Sequence, residues 1–136
     1  MNRHETQGNH NRRSSSLRIQ RGQSGESFAT QYLIEQGYSI LSQNWRCKHG
    51  ELDVVATINN QLVIIEVRTR TITSLSSFGI PEESITHYKQ NKLRKLALLY
   101  MQRFPDLPRS IHFDCIFVII NEQNECIKLS HLKDAF

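Results

Sequence analysis

The stretch Gly50–Arg70, GELDVVATINNQLVIIEVRTR, constrains the fold more than any other part of this chain. β-Branched residues are frequent on both sides of Asn59-Asn60, which is typical of two strands joined by a tight turn. Asparagine tolerates the positive φ angles that a two-residue hairpin turn requires. The sequence therefore predicts a β-hairpin with a two-residue loop, in which Ile58 faces Gln61.

This register brings four charged residues together. Continued away from the turn, it pairs Asp53 with Glu66 and Glu51 with Arg68. Because side chains alternate between the two faces of a strand, all four are expected to project from one face. Two carboxylates that face each other across a hairpin destabilise it unless a cation or a shared proton relieves the repulsion.

Two interpretations of these acids stay open at this point. A divalent ion such as Mg²⁺ would relieve the repulsion, because hard ions bind carboxylates and leave positions for water and phosphate oxygens. Alternatively, the hairpin is an edge whose polar face lies in water, with Glu66 paired to Arg68 or Arg70 and no catalysis. A longer turn would also slide the predicted pairs apart.

Length and charge predict one domain preceded by a basic tail. A chain of 136 residues is long enough for a single core. Residues 1–21 carry five arginines and one glutamate, whereas residues 22–136 carry 12 basic and 12 acidic residues. Residues 1–16 have no apolar side chain after the initiator and are expected to be disordered. We therefore expect a tail over residues 1–21, whose arginines could attract nucleic acid, and a domain over 22–136.

The cysteines and the apolar runs indicate a cytoplasmic protein. Cys47, Cys115 and Cys126 are odd in number and have no zinc-site spacing, so they are expected to be reduced thiols. The longest apolar run, Cys115–Ile120, is far shorter than the roughly 20 residues that span a bilayer. The basic N-terminus has no apolar segment of the kind found in secretory signals.

A first helix is predicted over residues 22–36, because its apolar side chains have helical spacing and Gly37 is placed to end it. Glu26 precedes Ala29 by three residues and Leu33 by seven. It therefore belongs to the apolar stripe and is expected to point toward the surface on which the helix packs. A functional role and a simple complement to the helix dipole are both possible.

A second helix is predicted from Pro81 to about Arg103, since proline suits the first helical turn and apolar residues follow at helical spacing. The middle of this helix is basic, with Lys89, Lys92, Arg94 and Lys95. Such a run is either a solvated face or a surface along which a phosphate backbone passes. Arg46 could likewise pair with an acid or contact a phosphate.

Further strands are predicted over Tyr38–Arg46, Ile111–Ile120 and Glu125–Leu129. If the second helix crosses from the hairpin to Ile111–Ile120, the strands that it joins run parallel, which predicts a mixed sheet flanked by helices. Asp114 is expected to be structural, and His112 to be a contact at the end of a strand.

The order of these features resembles the PD-(D/E)XK nuclease superfamily: Glu26 on a helix, Asp53 on one strand, Glu66-Val67-Arg68 on the next, then a basic helix. More closely, the chain resembles the YraN family of endonuclease-like proteins, which are similar to Holliday-junction resolvases. The matching segments are GQSGESFATQYLIEQGY, NWRCKHGELDVVA, LVIIEVRTR, FGIPEESITHYKQNKL, HFDCIFVI and HLKDAF. Together they span nearly all of residues 22–136.

The resemblance implies a restriction-endonuclease-like α/β fold and a metal-dependent endonuclease that acts on DNA or branched nucleic acid. It implies Asp53 and Glu66 as ligands of Mg²⁺ or Mn²⁺, with Glu26 helping directly or through water, and Glu51 at the edge of the site. Arg68 stands where the superfamily motif has lysine; its guanidinium stays charged and could bind a phosphate. Resolvase relatives also imply a homodimer.

Two other functions stay open on the sequence. The chain could be a nucleic-acid-binding module that kept the fold and lost turnover, since Arg68 replaces the motif lysine. It could also be an adaptor whose polar hairpin face binds a protein partner. Salt-dependent affinity for DNA distinguishes the first two functions from the adaptor, and metal-dependent cleavage distinguishes the nuclease from the binding module.

Overall fold

Five strands form one sheet, in which they are ordered as they occur along the chain. The computed structural model describes residues 24–73 and 85–136; the predicted tail lies outside these ranges. The elements are α1 (24–35), β1 (Ser39–Cys47), β2 (Gly50–Ile58), β3 (Gln61–Thr71), α2 (His87–Arg103), β4 (Ile111–Ile120) and β5 (Cys126–Leu132). None of the described helices is both long and apolar enough to cross a membrane.

The predicted hairpin and its register are confirmed next to the turn. Asn59 and Asn60 have φ angles of 49° and 60°, and Ile58 pairs with Gln61. The same register continues as far as the pair Val54 and Ile65. Turn chemistry thus set the alignment of β2 with β3, as expected for a two-residue loop whose residues both tolerate positive φ.

The predicted mixed sheet is also confirmed. β3 pairs with β4 in parallel, whereas the β1–β2, β2–β3 and β4–β5 pairs are antiparallel. The parallel pair, β3 and β4, lies inside the sheet. Its strands are joined by a connection that contains α2, because parallel strands need a crossover. The final strand is longer than predicted, since β5 extends to Leu132 rather than ending at Leu129.

A helix covers each face of the sheet. Ala29 and Leu33 of α1 pack against one face, and Leu93 and Leu96 of α2 pack against the other. The strand residues on the α1 side include Val54, Ala56, Val63, Ile65, Ile116 and Val118. Those on the α2 side include Leu52, Val55, Leu62 and Ile64. The three inner strands are therefore buried on both sides, which explains their nearly continuous apolar sequences.

The end of α1 agrees with the prediction at Gly37, whereas α2 as described begins at His87. Gly37 has φ +93°, and Tyr38 N donates to Leu33 O at 3.0 Å, so the chain leaves α1 where glycine was expected to end it. Pro81 itself lies outside the described residues. The prediction that α2 includes Ile85 is wrong, because Thr86 is the N-cap residue and its hydroxyl accepts a hydrogen bond from Lys89 N.

Gly25 allows α1 to approach β3 closely. A Cβ atom on Gly25 would lie 1.8 Å from Thr69 Oγ1 and 2.9 Å from Thr69 Cβ. Threonine is stiff about χ1, so it cannot easily move away. This close approach sets the position of Glu26, the next residue of the helix.

We expect Gly25→Ala to lower the stability of the fold by about 1–3 kcal/mol, because overpacking would outweigh the better helix propensity of alanine. Thermal melts of the full chain measure this. In a Thr69→Ala background, Gly25→Ala should lower the stability of the fold much less, since the nearest clashing atom, Thr69 Oγ1, is absent. A higher melting temperature for Gly25→Ala alone would contradict the close approach.

Candidate metal and nucleic-acid site

The candidate site forms where the alternation of β2 is interrupted at Asp53. Leu52 packs on the α2 side together with Val55, whereas Val54 packs on the α1 side. A regular strand would put Leu52 and Val54 on the same face. Asn44, which lies opposite on β1, has φ 51°, an angle that few residues other than glycine and asparagine adopt readily. The interruption therefore involves both strands.

This interruption corrects the prediction that all the hairpin acids share one face. By the alternation of their strands, Glu51 belongs to the α1 side and Glu66 to the α2 side. Asp53 lies at the interruption, and its carboxylate reaches both the Glu51 carboxylate and the backbone of β3. Glu51 also does not face Arg68. It is the β1 partner of Arg46, and the Arg46 Nε to Glu51 Oε2 distance is 3.2 Å.

Asp53 is held by the backbone of β3. Its Oδ2 accepts a hydrogen bond from Val67 N at 2.9 Å, just beyond the last ladder pair of β2 and β3. The predicted proximity of Asp53 to Glu66 is found, but the two strands are linked there by this side chain rather than by a regular ladder. The Asp53 carboxylate thus acts as a backbone acceptor and as one member of an acidic cluster.

Three carboxylates from two elements converge at this point. One oxygen each of Glu26, Glu51 and Asp53 lies within 4.8 Å of the others. Asn44 donates a side-chain hydrogen bond to Glu26, which links α1 to β1. Glu66 adds a fourth acid, whose negative charge raises the pKa of both Asp53 and Glu26. We name Glu26, Glu51, Asp53 and Glu66 the acidic cluster.

Asp53 and Glu26 hold protons more tightly than ordinary carboxylates do. Burial, followed by the charge of Glu66, raises the pKa of Asp53 to about 7, although the hydrogen bond from Val67 opposes the shift. Burial likewise raises the pKa of Glu26. Crowded carboxylates whose proton affinity is raised in this way also favour a bound cation, which can replace the proton.

Basic side chains surround the acidic cluster in an open cleft of about 560 Å³. The cleft is lined by Arg46, Cys47, Gly50, Glu51, Asp53, Lys89 and Lys92. Lys89 Nζ lies 3.4 Å from Glu66 Oε1, so α2 provides a counter-ion for the acid on β3. Two acids and three basic residues thus line the same cleft, a combination suited to a metal ion and a phosphate together.

The predicted nucleic-acid-binding residues divide into two groups. Arg46, Lys89 and Lys92 line the cleft. The Arg94 side chain is not among those that line the cleft, and its guanidinium lies over the Phe136 ring at 5.1 Å from the ring centroid. Lys95 is exposed and does not line the cleft. The basic run of α2 is therefore not one surface, as expected when residues are spread around a helix.

Arg68 lies beside the acidic cluster on the α2 side. It is two residues beyond Glu66 on β3, and this strand alternates regularly from Ile64, which packs against α2. Its positive charge partly opposes the burial that raises the pKa of Cys115 to about 12. No ion pair joins Arg68 to an acid within residues 24–73 and 85–136. Its charge is therefore available to an anionic ligand.

Two features of the site were not predicted. Asn44 links Glu26 to β1, and Lys89 neutralises Glu66 rather than lying on an open helix face. The only sequence signal for the first is that asparagine, among residues other than glycine, tolerates a left-handed conformation well. The contact between Lys89 and Glu66 depends on how α2 packs across the sheet.

A buried polar network lies on the α1 side of β4. The carboxylate of Asp114 accepts hydrogen bonds from His131 Nε2 at 2.7 Å and from Asp134 N at 3.0 Å. Since Nε2 carries a proton, Nδ1 of the neutral ring accepts from the Tyr32 hydroxyl at 3.1 Å. The network joins α1 to β4 and β5, which agrees with the structural role expected for Asp114. His112 contacts Asp134 at 2.7 Å near the start of β4, as expected of a strand-end residue.

A mixed sheet between two helices, with acids gathered at an interruption of its second strand, defines an α/β protein with a nuclease-like fold. Residues 25–118 match the family described as "Uncharacterised protein family UPF0102". The chain belongs to this family, which confirms the resemblance to YraN proteins found in the sequence.

Individual relatives support the same assignment over most of the chain. A UPF0102 protein of Caldicellulosiruptor saccharolyticus is 41% identical over 115 residues, which cover 85% of this chain and 95% of the relative. One from Moorella thermoacetica is 40% identical over 119 residues, covering 88% and 97% of the two chains. A third, from Caldanaerobacter subterraneus, is 39% identical over 116 residues, covering 85% and 93%.

Proposed function

We propose that this protein is a metal-dependent endonuclease that hydrolyses phosphodiester bonds in DNA or branched nucleic acid. The observation that carries the proposal is the acidic cluster itself. Three of its carboxylates converge within 4.8 Å, and two of them, Glu51 and Asp53, line an open cleft together with Arg46, Lys89 and Lys92. An acidic cluster in a purely structural role would gain little from such an arrangement, because like charges at this distance repel.

The donor set fits a hard divalent ion. Carboxylate oxygens are the protein ligands that Mg²⁺ and Mn²⁺ prefer, and the open cleft leaves room for water and a phosphate. Glu26, Glu51 and Asp53, whose oxygens lie within 4.8 Å of one another, would hold the ion, and the negative charge of Glu66 would add to its attraction. When bound, such an ion would polarise the phosphodiester and lower the pKa of water.

The basic side chains would then act on the substrate. Lys92 has no acidic partner among the residues that the structure describes, so it is free to attract a phosphate. Lys89 and Arg46 are paired with Glu66 and Glu51 and would share their charge between acid and phosphate. Arg68 would stabilise the negative charge that develops on the reacting phosphate.

Cleavage of defined nucleic acids tests the proposal. Wild-type protein is incubated with linear, flapped and four-way-junction DNA, with Mg²⁺, with Mn²⁺ or with EDTA, and products are resolved by length. We expect cleavage that requires the metal. If no substrate is cut although the protein binds it, the endonuclease proposal is wrong.

A non-catalytic binding module is the second candidate, and the observation that favours it is Arg68 in place of the motif lysine. Binding without cleavage would support this function. Failure to bind any nucleic acid would favour a protein adaptor. The homodimer implied by the resolvase resemblance stays a prediction, which sedimentation analysis can test.

We predict that Arg68→Ala weakens substrate binding and cleavage together, by about ten-fold, because a charged hydrogen bond to phosphate is lost. Arg68→Lys should preserve binding and maintain or raise cleavage, since lysine retains the charge and is the usual motif residue. Titrations and initial cleavage rates on one DNA substrate measure both effects.

Arg70→Ala is the matched control, because Arg70 is two residues further along β3 and its guanidinium bonds Thr69 O. If Arg70→Ala and Arg68→Ala weaken binding equally, Arg68 has no special role at the phosphate.

A further inference from the structure

An exposed aromatic ring stands at the edge of the cleft. Tyr88 is 78% exposed, more than any other large hydrophobic residue in the described ranges. It precedes Lys89, which lines the cleft, and lies four residues before Lys92, which also lines it. Residues four apart in a helix are neighbours on one face. Tyr88 is thus exposed to solvent directly beside the candidate site.

Tyr88 begins a stripe that combines aromatic and basic side chains. Tyr88, Lys92 and Lys95 are spaced by four and three residues, so they share one face of α2. The stem of Lys92 lies over Gly50, since its Cε would be 3.0 Å from a Cβ placed there. This contact fixes the stripe next to the β1–β2 turn. We name these three residues the tyrosine-lysine stripe.

The stripe carries uncompensated positive charge. Among residues 24–73 and 85–136, no acidic group forms an ion pair with Lys92 or Lys95. The stripe spans about 10 Å of the helix axis, which corresponds to about three nucleotides at a stacking distance near 3.4 Å. Its charge therefore matches a short stretch of nucleic-acid backbone.

We infer that Tyr88 stacks on an unpaired base while the backbone of the same strand follows Lys92 and Lys95. Exposed aromatic rings next to basic grooves bind single strands in this way, because every base offers a flat face. Inside a duplex these faces are covered by neighbouring base pairs, so the ring would find no partner. The inference rests on the proposed function and specifies its substrate: a nucleic acid with a single-stranded segment beside the cleaved phosphate.

Binding without metal tests this inference. Fluorescence anisotropy of the full chain in EDTA is measured with a labelled 12-nucleotide DNA, the same sequence as RNA, and a blunt 30-base-pair duplex. We expect Tyr88→Ala to weaken binding to the single strands by about ten-fold or more and to leave duplex binding nearly unchanged. The DNA and RNA arms show which sugar the stripe accepts.

Leu98→Ala is the matched control. Leu98 is 59% exposed on the same helix but lies ten residues, about 15 Å along the axis, beyond Tyr88, so its loss should not affect either affinity. Tyr88→Trp provides a direct signal: single-strand binding should be retained, and the new indole should be quenched on stacking. Wild type, with Trp45 as its single tryptophan, gives the baseline.

Three results would overturn the inference. Tyr88→Ala could weaken single-strand binding no more than Leu98→Ala does. It could weaken duplex binding by the same factor as single-strand binding, or the wild-type protein could bind no single strand. Since the assay contains no metal, it does not depend on cleavage. A protein that binds single strands through Tyr88 but cuts no substrate would leave this inference standing and overturn the proposed endonuclease.

Discussion

Replacing Asp53 with asparagine is expected to abolish metal-dependent cleavage and the stabilisation of the fold by Mg²⁺ or Mn²⁺. The same substitution should raise the melting temperature of the metal-free protein at pH 8, on the order of 10 °C. Asparagine can still accept the hydrogen bond from Val67 N that Asp53 accepts at 2.9 Å. It removes only the charge that burial and Glu66 make unfavourable.

The pH dependence follows from the raised pKa of Asp53, about 7 in the folded chain against about 3.9 when unfolded. Below pH 4 the carboxyl is protonated in both states. Between pH 4 and 7 the folded protein binds a proton that the unfolded chain has released, so wild-type stability falls as the pH rises. The full loss, on the order of 4 kcal/mol, is present above pH 7. The stability that Asp53→Asn gains over wild type should therefore increase as the pH rises from 4 to 7.

Thermal melts from pH 4 to pH 8, with and without millimolar metal, measure these effects. The metal shift of wild type should be larger at pH 8 than at pH 6, because protons compete for the same carboxylates. Asp106→Asn, which removes an exposed charge outside the cleft, should change neither the melting temperature nor the metal shift appreciably. A wild-type melt that metal does not move at pH 8 would contradict the metal site.

Replacing Asp114 with alanine is expected to destabilise the fold by about 3–5 kcal/mol. The side chains of Asp114 and His131 are each 4% exposed, so the substitution leaves the buried His131 Nε2 and the Asp134 backbone N–H without their acceptor. Such groups lose their hydrogen bonds to protein without regaining those to water. Denaturant unfolding, followed by circular dichroism, measures the change.

Asp134→Ala is a closely matched control. Asp134 also lies 2.7 Å from a histidine, His112, but its side chain is 69% exposed. Exposed pairs of this kind contribute about 1 kcal/mol or less. If both substitutions had the same effect, burial would not be what makes the Asp114 network important. The loss of stability caused by Asp114→Asn should lie between those of Asp114→Ala and Asp134→Ala, because the asparagine amide oxygen can still accept one of the two hydrogen bonds.

The sequence by itself determined the strands, the hairpin register near its turn and the parallel pairing of β3 with β4. These features depend on local causes: the alternation of apolar residues, the tolerance of Asn59 and Asn60 for positive φ, and the need for a crossover between parallel strands. The sequence also identified the acids that the site uses. Gly37 ended α1 as expected, because glycine is the residue best suited to that conformation.

The tertiary structure decided how those acids meet. Regular alternation put all the hairpin acids on one face, but the interruption opposite Asn44 lets Asp53 bond to the backbone of β3 while its carboxylate stays within 4.8 Å of those of Glu51 and Glu26. The position of Glu26 depends on the close packing of Gly25 against Thr69. Such contacts join residues far apart in the chain, so no local pattern encodes them.

The basic residues show the same division between sequence and structure. Their types and helical spacing were evident from the sequence, but their roles depend on what α2 packs against. Lys89 and Lys92 reach the cleft, whereas Arg94 covers the Phe136 ring. A helix presents its residues in all directions, and only docking on the sheet determines which of them border the acids.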